Sequence, residues 1–315
     1  MEPLRIGLVG WGTVGSALGA LVDGGPLPVR LAWVAVREPR RERGVALPEG
    51  VPVAGEPGPL DEIDALVELA GNVAEPRRWA ENALSRGLPY VTANKALLAA
   101  HGGELAELAT RHGAALLASA SVGGGTPMLE VTEHLAASGE VRRLRGLLNA
   151  TTTFILSAMT EGRTYDQALT DAQTAGYAEA DPSLDVDGRD AAQKLAILAW
   201  VAWGRWRSER EVRRTGIEGL DVAPGTVVRL VAEATADEMS VAPAVLDPAS
   251  PLADPRGVEA VLEVEVAGAG TVTVRGPGAG GRATAGAVYA DLARLVRGDR
   301  PVLGEGPVLR EGSHA

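Results

Sequence analysis

A glycine-rich turn near the N-terminus constrains the fold of this chain most strongly. The apolar segment Leu4–Val9 runs into Gly10-Trp11-Gly12-Thr13-Val14-Gly15, and an Ala- and Leu-rich stretch over residues 16–22 follows at once. In a strand–turn–helix unit of this kind, the first glycine permits the tight turn, the second lets the backbone approach a pyrophosphate, and the third allows close helix packing. The helix N-terminus offers N–H groups and a positive dipole to that anion. We therefore predict a dinucleotide-binding βα unit, with an ordinary glycine-rich turn as the lesser alternative.

Strand-like and helix-like segments alternate along the first third of the chain. Apolar strands are predicted at residues 29–36, 65–69, 90–92 and 114–118, and helices between them near residues 76–86 and 96–112. Alternation at this spacing is typical of a parallel sheet with crossover helices. We therefore predict an α/β fold that contains a Rossmann-type doubly wound parallel sheet.

The pattern changes after residue 118. The glycine-rich segment 121–127 is typical of a hinge or of a site lined by backbone. Beyond it, a strand at 143–148, helices at 152–159 and 189–203, and two antiparallel strands at 258–266 and 271–274 precede a closing helix at 285–297. We predict a second, α+β domain over residues 119–275. Residues 1–118 and 276–315 are assigned to the dinucleotide-binding domain.

Length, charge and cysteine content exclude several classes of protein. A chain of 315 residues is long for one hydrophobic core, which favours two domains. The formal net charge of −11 argues against nucleic acid and anionic membranes as partners. No apolar run is long enough to span a bilayer, and we expect no signal peptide. The absence of cysteine fits a reducing compartment, so we expect a cytoplasmic protein without thiolate chemistry.

The end of the second predicted strand bears on the choice of nicotinamide cofactor. An acidic residue at this place holds the ribose 2′-hydroxyl of NAD, whereas Arg favours the 2′-phosphate of NADP. The chain has Arg37 followed by Glu38, and then Arg40 and Arg41. The two later arginines are about equally well explained as a solvated loop. We predict NADP or NAD as the cofactor, with NADP favoured.

Lysine is almost absent from this chain. It occurs only at Lys95 and Lys194, whereas the other 28 of the 30 basic residues are Arg. Arg stays protonated at any working pH, whereas Lys loses its proton when its surroundings favour that. Lys194 lies four residues after Asp190, so the two side chains share one helix face as a surface ion pair or as part of a cleft.

Five segments resemble signatures of the homoserine dehydrogenase family, in the expected order and over nearly the whole chain. The resemblance implies reversible NAD(P)-dependent hydride transfer between L-homoserine and L-aspartate 4-semialdehyde, a step of threonine, methionine and isoleucine biosynthesis. It also implies a homodimer, a substrate-binding and dimerisation role for the second domain, and a short form without a C-terminal regulatory domain. The segments are Thr92-Ala93-Asn94-Lys95, Asn149-Ala150-Thr151-Thr152, Gly176-Tyr177-Ala178-Glu179-Ala180-Asp181-Pro182, the stretch from Asp185 to Leu198, and Gly276-Pro277-Gly278-Ala279-Gly280-Gly281.

The resemblance also implies roles for individual residues. Lys194 matches the proton-transferring lysine of the family, and Lys95 matches a second active-site lysine beside the nicotinamide. The matching substrate-binding residues are Glu179, Asp190, Asp185 and Thr151. The matching cofactor-binding residues are Gly10, Gly12, Thr13, Val14, Gly15, Arg37, Thr92, Lys95 and Gly280.

A monovalent cation, usually sodium, belongs to the family as well, where one Glu and three backbone carbonyls hold it. The carbonyl positions correspond to Val122, Gly124 and Thr126, but Ser119 stands where the family has the Glu. Ala150, where the family usually has Gly, is a second departure. The carboxylate ligand of a cation site is therefore missing from its usual position.

Two rival functions differ from this one in the residues they require. A phosphorylating semialdehyde dehydrogenase shares the two-domain plan but needs a nucleophilic thiolate, which a chain without cysteine cannot supply. A non-catalytic dinucleotide-binding regulator remains as the alternative. It accounts for the glycine-rich turn, but it gives no reason for the acids and the lysine between Glu179 and Lys194.

Overall fold

The computed structural model describes residues 2–40, 44–255 and 257–305. In these ranges the strands are, in chain order, β1 (Leu4–Val9), β2 (Val29–Ala35), β3 (Val53–Ala54), β4 (Ala65–Glu68), β5 (Tyr90–Thr92), β6 (Leu116–Leu117), β7 (Val141–Leu147), β8 (Arg213–Arg214), β9 (Val228–Ala234), β10 (Met239–Val245), β11 (Glu259–Val266) and β12 (Gly270–Pro277). The α-helices are α1 (Thr13–Gly24), α2 (Ala74–Leu84), α3 (Lys95–His112), α4 (Met128–Ser138), α5 (Ala150–Thr160), α6 (Tyr165–Thr174), α7 (Ser183–Val186), α8 (Arg189–Trp203) and α9 (Gly281–Val296). None of these helices is both long and apolar enough to cross a membrane.

The chain divides into two compact units. The first comprises the described residues of Met1–Gly125 together with Gly280–Glu305, and the second those of Thr126–Ala279. The sheet of the first unit is parallel and has the order β3-β2-β1-β4-β5-β6. The strand order reverses between β1 and β4, where open α/β sheets bind their ligands. The predicted Rossmann-type α/β fold is thereby confirmed.

An apolar core packs α1 and α9 against the first sheet. Ile6 and Leu8 on β1 are fully buried in it, and Leu18 of α1 and Leu292 of α9 join them. Burial of each such side chain contributes about 1.5–3 kcal/mol relative to an exposed position. The core therefore fixes α1 and α9 next to the strand that leads into the glycine-rich turn.

The second unit is built on a different sheet, with the order β12-β11-β7-β9-β10-β8. Its ladders are antiparallel except for the short pairing of β8 with β10. Helices α4, α5 and α8 pack against this sheet. Helix α8 has the bounds that its apolar pattern predicts. The predicted α+β character of this part of the chain is confirmed.

The patterns used for prediction missed α4, α6 and the pair of strands β9 and β10. Strand β10 contains Pro243, which argues against a strand inside a sheet, yet Pro243 pairs with Leu230 of β9. Helix α6 carries a recognisable start signal, because Thr164 and Gln167 form a capping box. Several predicted helices also begin later than in the structure. For example, α1 already includes Thr13.

Candidate functional site

The three glycines of the turn after β1 have three different surroundings. Gly10 has a φ of 101°, and a Cβ atom there would lie 2.7 Å from the Leu69 carbonyl oxygen. A Cβ on Gly15 would lie 2.1 Å from the Gly10 carbonyl oxygen, whereas one on Gly12 would meet nothing within 4 Å. Gly10 therefore makes the turn and Gly15 lets α1 approach. The backbone of Gly12 is left facing open space, which fits a pyrophosphate.

A cleft of about 390 Å³ opens at the carboxyl ends of β1, β2 and β4. It is lined by Gly10 and Gly12, by Arg37 and Glu38 after β2, and by Asn72 after β4, among others. No side chain caps the N-terminus of α1. The residues present therefore fit a dinucleotide, with Arg37 and Glu38 at the cofactor-selecting position. Arg40 does not line the cleft, and Arg41 lies outside the described residues.

The glycine-rich segment before α9 lies against the start of α1. Gly280 has a φ of 121°, and a Cβ on Gly281 would lie 2.4 Å from the Thr13 Cγ2 atom. Only glycine allows this approach. The first unit thus brings Thr13, Val14 and Gly280 to the neighbourhood of one helix N-terminus, as their predicted role in dinucleotide binding requires.

Glu68, at the end of β4, is a buried carboxylate that sequence patterns did not indicate. It is fully buried and accepts hydrogen bonds from the Ala70 N–H at 2.6 Å and from the Thr92 hydroxyl at 2.8 Å. Burial raises the pKa of Glu68 above its usual value. Thr92 is also fully buried, so any contact of Thr92 with a dinucleotide would be made by its backbone. In the sequence, Glu68 could have been singled out only as an acid at the end of an apolar strand.

Lys95 is the first residue of α3. Asn94 caps this helix, because its side-chain oxygen accepts a hydrogen bond from the Leu97 N–H at 3.0 Å. The Lys95 N–H donates to the Ala93 carbonyl oxygen at 3.1 Å. An ammonium at a helix N-terminus meets the positive end of the helix dipole. The start of α3 is therefore an unfavourable position for a positive charge whose only role is to stabilise the fold.

The second lysine, Lys194, lies in the second unit on α8. Its Nζ donates to the Asp190 Oδ2 atom at 2.7 Å and to the Leu148 carbonyl oxygen at 2.8 Å. The two charged side chains are only 14% and 10% exposed, so they form a largely buried pair and not a surface ion pair. An ammonium has three N–H donors. Within the described ranges, two of them are engaged, and one remains for a ligand.

Asn149 joins Lys194 to a second acid. Its Nδ2 donates to the Asp185 Oδ1 atom at 2.6 Å and to the Asp190 Oδ2 atom at 2.8 Å. Its side-chain oxygen accepts from the Thr152 N–H at 2.8 Å and so caps α5. Burial raises the pKa of Asp185, and the nearby charge of Asp190 adds to that effect. We call Leu148, Asn149, Asp185, Asp190 and Lys194 the Lys194 cluster. In the sequence, Asn149 could have been recognised as a helix-capping residue type directly before α5.

Of the two other predicted substrate-binding residues, Thr151 lies beside Asp185 of the Lys194 cluster, and Glu179 lies apart from it. Thr151 is buried, and its hydroxyl donates to the Tyr177 carbonyl oxygen at 2.7 Å. The Tyr177 ring packs on Phe154, with ring centroids 5.1 Å apart. Glu179 is exposed, and its carboxylate makes no hydrogen bond or ion pair with the described part of the chain. The structure therefore brings Asp185, Asp190 and Lys194 together but leaves Glu179 outside their hydrogen-bond network.

The expected cation site differs from the family pattern at Ser119, which stands where the family has a Glu. The Ser119 hydroxyl donates to the buried Asp291 Oδ1 atom at 2.6 Å, and the Ser119 N–H donates to Oδ2 at 3.0 Å. The Thr126 carbonyl oxygen already accepts from the Met128 N–H at 2.7 Å. Ser119 therefore supplies neither a charge nor a free hydroxyl. The described residues also hold no group of three or more His, Asp and Glu side chains arranged for a metal.

Comparison with known proteins identifies relatives over both units. The profile of the homoserine dehydrogenase family matches residues 127–293, and that of its NAD-binding domain matches residues 10–119. The homoserine dehydrogenase of Mycobacterium tuberculosis is 36% identical over 100% of this chain and 76% of its own length. That of Lactococcus lactis is 38% identical over 76% of this chain, but the match spans only 59% of the relative.

A solved structure extends this similarity to three dimensions. It is that of a hyperthermophilic archaeal homoserine dehydrogenase in complex with NADPH, with a TM-score of 0.81 and 29% sequence identity. The match covers 94% of this chain and 98% of the archaeal one. None of these similarities supports a non-catalytic regulator. The chain belongs to the homoserine dehydrogenase family of NAD(P)-dependent oxidoreductases.

Proposed function

We propose that this chain interconverts L-homoserine and L-aspartate 4-semialdehyde, with NAD(P) as cofactor. The observation that carries the proposal is the largely buried Lys194 ammonium, which donates to Asp190 and to the Leu148 carbonyl oxygen and keeps one N–H donor for a ligand. The family of the chain supports the same activity. The reaction would serve threonine, methionine and isoleucine biosynthesis.

Lys194 is the proposed proton-transferring group. When bound, the nicotinamide accepts a hydride from homoserine or returns one to the semialdehyde. In the reductive direction the aldehyde oxygen becomes negative, and a positioned ammonium stabilises that charge and donates its proton. Asp190 and the Leu148 carbonyl oxygen fix the direction in which Lys194 points. Lys95 is proposed as a second active-site lysine beside the nicotinamide.

The acids of the second unit are proposed to bind the amino-acid part of the substrate. Asp185 and Asp190 lie in one hydrogen-bond network with Lys194, and their carboxylates are proposed to attract the substrate ammonium. Glu179 offers an exposed carboxylate, unpaired among the described residues, on the segment whose Tyr177 carbonyl oxygen accepts a hydrogen bond from Thr151. Fixing the amino acid in this way would orient its C4 atom for reaction.

An absorbance assay tests the proposal. Purified protein mixed with L-homoserine and NADP or NAD should generate the reduced nicotinamide, and L-aspartate 4-semialdehyde with NADPH should consume it. The same assay with L-serine or L-threonine serves as a control for substrate choice. If homoserine caused no reduction of either NADP or NAD, the proposal would be wrong.

Arg37 is proposed to favour NADP through its 2′-phosphate. A charge-assisted contact of this kind contributes about 1.5–3 kcal/mol, so Arg37→Ala should weaken NADP binding by about tenfold or more. NAD lacks the phosphate and should bind almost as before. Arg40→Ala is the matched control, because Arg40 does not line the cleft. Equal loss of affinity for both cofactors, measured by titration, would show that Arg37 does not select between them.

Catalysis is expected not to depend on a monovalent cation, because Ser119 is engaged with Asp291. Exchange of sodium for choline at constant ionic strength should leave both kcat/KM and the Tm unchanged. Activation by sodium or potassium, together with a rise in Tm as either ion is added, would show a bound cation after all.

The assembly and location of the protein are proposed from less direct observations. We propose that the first unit binds the dinucleotide and that the second binds substrate and forms a homodimer. One face of the second sheet carries alternating charges, with Arg143 bonded to Glu265 at 3.1 Å and Arg145 at 3.5 Å from Glu233. Such a pattern of charges is complementary to the same face of a second copy of the chain. Sedimentation would show whether the protein forms a dimer. The absence of cysteine supports a cytoplasmic location.

A further inference from the structure

The Glu68 carboxylate lies where two loops of the first unit meet. One loop, residues 69–72, follows β4 and contributes Leu69, Ala70 and Asn72 to the cleft. The other, residues 92–95, ends β5 and begins α3 at Lys95. Glu68 is fully buried, and a buried carboxylate is tolerated only when donors surround it. None of the roles assigned above uses this side chain.

The hydrogen-bond partners of Glu68 are donors from both sides. The Ala70 N–H of the first loop donates to Oε1 at 2.6 Å. The Thr92 hydroxyl of the second donates to Oε2 at 2.8 Å, and the Tyr90 hydroxyl lies 3.4 Å from the same oxygen. An ionised carboxylate accepts hydrogen bonds at both oxygens, whereas Gln would replace one of these oxygens by an NH2 group that faces a donor. The site therefore fits Glu better than Gln.

The network continues from Thr92 to the start of α3. The Thr92 hydroxyl oxygen accepts a hydrogen bond from the Asn94 N–H at 2.9 Å. The hydroxyl hydrogen of Thr92 therefore points toward Glu68. The Asn94 side chain caps α3 and also donates to the Asn72 carbonyl oxygen at 2.5 Å. Glu68, Thr92 and Asn94 thus connect the cleft-lining loop to the helix turn that carries Lys95.

We propose that Glu68 is a positioning residue for NAD(P) binding and for Lys95. Its carboxylate holds residues 69–72 and 92–95 in one arrangement, so that the cleft keeps its shape and the Lys95 side chain starts from a fixed helix end. Misplacement of such groups by a fraction of an ångström costs binding and rate. This inference rests on the proposed function for its kinetic part, whereas its cofactor-binding part does not.

Two variants and their combination test the inference. Glu68→Gln removes the charge, and Thr92→Val removes one donor at nearly unchanged volume. Each should weaken NADPH binding, measured by NADPH fluorescence, by about tenfold, and each should lower kcat by a similar factor. Because both act through one network, the double variant should lose much less than the product of the two effects. Glu81→Gln, which changes an acid in an exposed pair with Arg77 on α2, is the matched control and should change neither quantity.

The outcomes separate a positioning role from a purely structural one. If Glu68→Gln lowered only the Tm and left NADPH binding and kcat at their original values, the inference would be wrong. Multiplicative effects in the double variant would also contradict it. If Glu68→Gln did not fold, Thr92→Val alone would decide by the same two measurements. If the unmodified protein bound NADPH but did not oxidise homoserine, the proposed function would be wrong. The NADPH affinities of the variants would still test whether Glu68 positions the cofactor-binding cleft.

Discussion

Lys194→Arg is expected to fold and to bind cofactor, but to turn over homoserine at least about a hundredfold more slowly. Arg keeps the positive charge that Asp190 and the Leu148 carbonyl oxygen hold at 2.7 and 2.8 Å. Its guanidinium stays protonated at any working pH, so it cannot exchange a proton with the substrate oxygen. The loss should therefore fall on kcat, measured at saturating homoserine and cofactor.

The composition of the chain makes this substitution informative. Because 28 of its 30 basic residues are Arg, the chain accepts Arg where charge alone suffices. Lys95→Arg is the comparison variant, and we expect it to impair cofactor and substrate binding more than turnover. If Lys194→Arg kept near-normal turnover, Lys194 would be only a charge in a pocket. Proton transfer would then have to be reassigned to Lys95 or to water.

Asn149→Asp is expected to lower kcat/KM for homoserine by about a hundredfold at neutral pH, the scale of loss that follows misplacement of groups at a reacting centre. The change exchanges an amide that donates to Asp185 and Asp190, at 2.6 and 2.8 Å, for a third carboxylate. Three carboxylates this close cannot all stay ionised, so one of them takes up a proton as the pH falls. Once protonated, the introduced carboxyl group regains one donor. The ratio of variant to unmodified activity should therefore rise toward acid pH.

Asn149→Ser separates this effect from helix capping. Ser, Asp and Asn cap helices about equally well, so all three proteins should keep the start of α5. The Ser side chain cannot reach both acids. Its activity should fall as well, but it adds no third carboxylate, so the ratio of its activity to that of the unmodified protein should not rise toward acid pH. Asn149→Asp with normal kcat/KM, or a loss that simply follows the Tm, would contradict the bridging role.

The sequence predicts those features that depend on local spacing. The apolar period of residues 189–203 predicts α8, and the four-residue separation of Asp190 and Lys194 predicts that the two share a helix face. The strand–glycine–helix pattern predicts the turn at Gly10. In each case the determining contacts lie within a few residues of each other.

Features that depend on distant contacts were not predictable in this way. Asn149 reaches acids 36 and 41 positions away, and Thr92 turns its hydroxyl inward to an acid 24 positions away. No periodicity encodes such encounters, because the packing of whole elements decides them. Strand β10 shows the same limit, since pairing with β9 outweighs the unfavourable Pro243.

The most direct test of the proposed activity measures both products of one reaction. L-homoserine is incubated with NADP or NAD, and the reduced nicotinamide and the L-aspartate 4-semialdehyde are quantified in the same samples, with Lys194→Arg as the matched protein. The proposal predicts one semialdehyde for each reduced nicotinamide, and at least about a hundredfold less of both with the variant. Reduced nicotinamide without semialdehyde, or no homoserine-dependent reduction of either cofactor, would contradict it.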